Sequence, residues 1–136
     1  MTAAPARPRR RVALLALAAA VIALGLLVHY LLAGDAASFV ADALYAVLIA
    51  LIVMVIAPRT RPTLVAGIAF VVCALIELAQ LTGGPATLAR AFPPAALVFG
   101  SGFAWGDLVA YTVGVLLVLA ADILLLRDRR RRRRRS

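Results

Sequence analysis

The chain has 136 residues, 65% of them hydrophobic, with a mean hydropathy of +1.02. That exceeds the roughly 45–50% apolar content of soluble domains, and the apolar residues lie in four long blocks, which excludes a soluble globular domain. The formal net charge of +9 comes from arginine alone, placed at block ends as topology signals are, which argues against a folded nucleic-acid-binding domain.

Residues 1–11 form a basic N-terminus with Arg7, Arg9, Arg10 and Arg11. The first block, "VALLALAAAVIALGLLVHYLL", covers about residues 12–32. A cleaved signal peptide is the rival reading, with "RPRRR" as its basic region and "LAGDA" as a weak cleavage site. The apolar core, however, exceeds the roughly 7–15 residues of such a segment, and cleavage would leave an odd number of spans. The block therefore reads as a membrane helix.

The second block, "FVADALYAVLIALIVMVIA", covers about 39–57 and stops at Pro58. The third, "TLVAGIAFVVCALIELAQLT", covers about 63–82 and stops at Gly83, Gly84 and Pro85. Its lone cysteine, Cys73, permits neither an internal disulfide nor a cysteine-cluster metal site and reads as a small buried hydrophobe. A 24-residue connection, 83–106, follows. It is long for a loop without function and rich in apolar residues, so it is expected in the interface or folded back over the bundle, with Trp105 at headgroup level. The fourth block, "DLVAYTVGVLLVLAADILLL", covers about 107–126. Blocks of this length match a bilayer-crossing helix. The expected fold is all-α: a polytopic membrane protein with a four-helix domain over 12–126.

The chain closes on an arginine-rich tail, 127–136, "RDRRRRRRRS". Its expected partner is membrane lipid, with the arginines drawn to anionic headgroups by about 1 kcal/mol each. Binding to RNA or a ribosome through phosphate neutralisation is the alternative.

Fourteen arginines lie before the first block, between the second and third, or after the fourth, against Arg90 alone on the other side. The positive-inside rule puts both termini in the cytoplasm, with 33–38 and 83–106 facing outward.

This orientation sorts the polar residues by depth. Glu77 lies roughly 7–8 Å below the outer end of its span, Asp42 and Tyr111 each about 6 Å in, and His29 about 5 Å down. Glu77 with Gln80, Asp42 with Tyr45, and Asp107 with Tyr111 and Gly114 share helix faces, because residues three or four apart lie side by side. Carboxylates facing lipid are costly, so these faces should turn inward. Gly114 would admit a neighbouring helix beneath them. Arg90 stands where it could pair with Glu77 or Asp107.

Each residue has a plainer reading as well. Glu77 is equally a structural hydrogen-bond or ion-pair partner, and Asp107 a helix N-terminal residue. His29, Tyr45 and Tyr111 fit ordinary interfacial positions, and Asp122 a pairing with a nearby arginine.

The stretches "FVADALYAVLIALIV", "IELAQL", the lone Arg90 and "FAWGDLVAYTVG" resemble a family of small bacterial membrane proteins labelled ribosomal maturation YjgA family. Its pattern of Asp then aromatic, Glu-x-x-Gln, Arg, and Asp-x-x-x-Tyr-x-x-Gly falls here on Asp42 with Tyr45, Glu77 with Gln80, Arg90, and Asp107 with Tyr111 and Gly114. That family is in turn similar to VanZ-like proteins. The resemblance spans about 12–126 and departs in the second block, where "ADALY" replaces the usual Gly-Asp-x-Leu-Trp. It implies a bacterial inner-membrane protein, with VanZ relatives linked to glycopeptide-antibiotic resistance, and implies no reaction.

The function expected is binding of an envelope lipid, lipid-linked glycan or amphiphile in an outward-facing polar pocket. Arg90 would meet an anionic group, and Asp42, Tyr45, Glu77, Gln80, Asp107 and Tyr111 would form the wall. An enzyme using the carboxylates for acid–base work on a lipid-linked substrate is the second reading, although no nucleophile motif, phosphate loop or metal signature is present; neither metal nor cofactor is expected. A structural or assembly role is the third.

Overall fold

The computed structural model describes residues 6–100 and 102–135; residues 1–5 of the basic N-terminus and Ser136 of the tail lie outside the described residues. Among the described residues all regular structure is helical. The elements are α1 (Ala6–Leu31), α2 (Asp35–Ile56), α3 (Pro62–Gln80), α4 (Gly84–Ala91), α5 (Ala95–Phe99) and α6 (Trp105–Arg135). Four of these contain a stretch long and apolar enough to cross a membrane: Arg9–Leu31, Asp35–Ile56, Pro62–Gln80 and Trp105–Asp128.

Local chemistry sets most of the boundaries. α2 begins at Asp35, four residues before the expected start, because an acidic residue in the first turn complements the helix dipole. α2 stops before Pro58, which has no N–H to continue it, and α3 restarts on Pro62 in its first turn, where that missing donor costs nothing. Gly83, in the left-handed conformation at φ 72°, turns the chain from α3 into α4.

The tail is a continuation rather than a separate segment. α6 runs from Trp105 to Arg135 without a break, since arginine is a good helix former and nothing after Gly114 interrupts the helix. The 83–106 connection also differs from a plain loop, because it contains α4 and α5.

α2, α3 and α6 pack against one another, and α1 lies against α2, where its Ala18 and Val21 join the core. α2 and α6 run parallel to each other and antiparallel to α3, so their first turns meet the last turn of α3. Small side chains allow this closeness: Ala46, Ala50, Ala69, Cys73 and Ala110 are fully buried, as at other intramembrane helix contacts. At Gly114 the α2 backbone comes closest. A Cβ there would run into the carbonyl oxygen of Ala43 and lie 3.0 Å from the Ala46 Cβ.

Candidate functional site

The polar residues converge where the first turns of α2 and α6 meet the last turn of α3. Glu77 sits in that last turn with 0% of its surface exposed. A buried carboxylate is tolerated only when its oxygens are hydrogen-bonded. Here the backbone N–H of Ala104 donates to Oε1 at 2.7 Å, and the Tyr111 hydroxyl donates to Oε2 at 3.1 Å. Through these two bonds Glu77 ties α3 to α6 and to the segment that precedes it.

Gln80, one turn beyond Glu77, reaches the same segment. Its Nε2–H donates to the carbonyl oxygen of Phe99, while its buried Oε1 has no hydrogen-bond partner among the described residues. Gly100 follows at φ +69°, and a Cβ there would stand 2.6 Å from Gln80 Nε2, so only glycine fits both the conformation and the contact. Glu77 and Gln80, spaced by three residues, thus hold a strap over 99–104 against the end of α3. The spacing that placed them on one face serves one backbone segment.

Asp42, on α2, and Asp107, in the first turn of α6, are each partly buried. Their carboxyl groups lie within hydrogen-bonding reach of one another, and the charge of Glu77 also acts on Asp42. The rings of Tyr45 and Tyr111 stand 6.4 Å apart between α2 and α6. Three helices therefore bring together Asp42, Tyr45, Glu77, Asp107 and Tyr111, with Gln80 beside them on the strap.

Arg90 does not join this group. It occupies the last turn of α4 with its side chain exposed, and among the described residues it forms no ion pair with Glu77 or Asp107. The strap accounts for this: the oxygens of Glu77 are already taken by Ala104 and Tyr111 on the inner side of the connection that carries Arg90. His29 is exposed on α1 and meets the Tyr30 ring edge-on, with centroids 5.0 Å apart. It stays outside the cluster because α1 packs on α2 alone. Asp122, expected to pair with an arginine, is partly buried and has no ion pair among the described residues.

Two surface clefts lie away from the cluster, one between Thr82 and Ala91 beside α4 and the other around the 57–61 turn. Neither is lined by Asp42, Glu77 or Asp107. No group of three His, Cys, Asp or Glu residues among those described has a metal-holding arrangement. The partners that sequence reasoning missed are the amide of Ala104 and the carbonyl of Phe99. Both are backbone groups, which every non-proline residue carries, so no residue type announces them.

A family model described as a protein of unknown function, DUF2809, matches residues 31–115. The matched stretch runs from the end of α1 into α6 and includes every residue of the cluster together with Arg90 and Gly114. No curated protein and no solved structure matches the chain.

Proposed function

The chain belongs to the DUF2809 family of proteins of unknown function, and we propose that it is a multi-pass membrane protein that binds an envelope amphiphile at the Asp42–Asp107 pair. The ligand class is a lipid or lipid-linked glycan whose headgroup is rich in hydrogen-bond donors. The observation that carries this reading is the meeting of two carboxyl groups from parallel helices with no arginine beside them among the described residues. Even with one proton shared between them, two carboxyl groups keep acceptor oxygens to spare, which the hydroxyls of a sugar or an amine can meet. Tyr45, half-buried beside the pair, offers a ring face and a hydroxyl, whereas Tyr111 is buried with its hydroxyl on Glu77. Arg90, exposed on α4, is free of Glu77 and suits an anionic part of the same headgroup.

Arginine placement supports the bacterial cytoplasmic membrane with both termini inside, so that the pair lies near the outer surface. The order of Glu77 and Gln80, Arg90 and Asp107 is similar to that of VanZ-like proteins, which favours an envelope role.

The test compares Asp42→Asn and Asp107→Asn with wild type for folded yield in detergent and for lipids that copurify, identified by mass spectrometry. A bound amphiphile lost from both variants at normal yield supports the site. Identical lipid content in all three proteins overturns it. A purely structural role is the second reading, favoured by Glu77, whose two oxygens are both satisfied within the protein; equal loss of folded protein in every variant is its signature. An enzymatic role would require a product formed by the purified protein and lost in Asp107→Asn.

A further inference from the structure

At the end of the bundle remote from Asp42 and Asp107, arginines from three chain segments collect. The start of α1 brings Arg9, Arg10 and Arg11, the turn between α2 and α3 brings Arg59 and Arg61, and the end of the α6 span brings Arg127 and Arg131. A hydrogen bond joins two of these segments: Arg10 Nη1–H donates to the Pro58 carbonyl at 2.9 Å. The N-terminal arginines therefore stand beside the turn. Arg9, Arg11, Arg59, Arg61, Arg127 and Arg131 are all exposed.

The turn itself forms a surface cleft lined by Ala57, Pro58, Arg59, Thr60, Arg61 and Leu64. Just inside it, Ile56 is 75% and Leu64 56% exposed. Two guanidinium groups thus sit next to open apolar side chains at the point where both spans end. We propose that this basic end is a binding surface for anionic phospholipid, with the headgroup phosphate at Arg59 and Arg61 and the acyl chains along Ile56 and Leu64. Guanidinium matches phosphate geometry. The apolar shelf distinguishes a lipid from a nucleic acid, which offers phosphates but nothing to cover Ile56 and Leu64. This surface and the Asp42–Asp107 pair occupy opposite ends of α2, so the failure of either leaves the other standing.

Full-length protein in a neutral detergent, titrated with phosphatidylglycerol or phosphatidylcholine and read by native mass spectrometry, tests the surface. The expected result is a preference for phosphatidylglycerol of about tenfold or more that falls with added salt. Arg59→Gln combined with Arg61→Gln should weaken phosphatidylglycerol binding by about fivefold or more and affect phosphatidylcholine, whose choline cation offsets its phosphate, far less. Arg59→Lys with Arg61→Lys keeps the charge and should retain most of the preference; it also serves if the glutamine pair folds poorly. Equal binding of the two lipids, or an undiminished preference in the glutamine pair, overturns the proposal. Tighter binding to a single-stranded RNA oligonucleotide than to phosphatidylglycerol overturns it as well, in favour of a soluble polyanion.

Discussion

The hydroxyl of Tyr111 donates to Glu77 Oε2 at 3.1 Å, joining α6 to α3 inside the apolar bundle. With the Ala104 amide on the other oxygen, it turns a carboxylate that the bilayer would reject into a cross-brace.

Removing the acceptor should cost more than removing one donor. Glu77→Ala leaves the buried Tyr111 hydroxyl without a partner, at about 1–3 kcal/mol, and also gives up the bond from the Ala104 N–H. Tyr111→Phe removes one donor while Ala104 continues to serve the carboxylate, so its expected cost is smaller, about 1–2 kcal/mol. Melting temperatures in detergent check the order. The two changes should also be non-additive when combined, because they share one bond.

Gly114 and Gly67 form a matched pair. Gly114→Ala places a methyl group against the Ala43 carbonyl and should destabilise by roughly 1–3 kcal/mol, as overpacking does. Gly67→Ala meets nothing within 4 Å and should be neutral or slightly stabilising, because alanine is the better helix former by about 1 kcal/mol. A Gly114→Ala protein as stable as wild type would mean that α2 and α6 do not approach here.

The strap over 99–104 should loosen when its two anchors are removed. Hydrogen exchange in Gln80→Ala should rise around Gly100 relative to wild type, and in Glu77→Ala around Ala104, while the middle of α2 stays protected, since local openings involve only the contacts they break. Uniform change across the protein would instead indicate global destabilisation.

The orientation has its own check. An alkaline phosphatase fusion after residue 90 should be active and one after residue 60 inactive, because the enzyme matures only outside the cytoplasm; the reverse pattern would place the Asp42–Asp107 pair on the inner side. Arg90→Ala should change stability by less than about 0.5 kcal/mol, as exposed side chains without partners do.

Much of this protein is legible along the chain. Hydropathy marks four spans, because a bilayer imposes one length and one composition on every crossing helix. Pro58, Pro62 and Gly83 punctuate them where backbone chemistry requires. Helical periodicity pairs Glu77 with Gln80 and Asp107 with Tyr111, because residues three or four apart share a face whatever surrounds them. Some boundaries moved all the same. α1 starts at Ala6, α2 starts at Asp35, and α6 absorbs the arginine tail, each helix extending through residues whose polarity had suggested its end, while the 83–106 connection acquires two short helices.

Helix adjacency and the partners of Glu77 belong to the tertiary structure. Lipid-facing and protein-facing surfaces are equally apolar in a membrane, so nothing in the α1 sequence shows that it packs on α2 alone and carries His29 away from the cluster. Arg90 was the natural partner for Glu77 by charge. The chain instead supplies the Ala104 amide, because the path of the strap brings a backbone donor within reach first. A backbone N–H has the same chemistry at every residue except proline, and only its position in space can single one out.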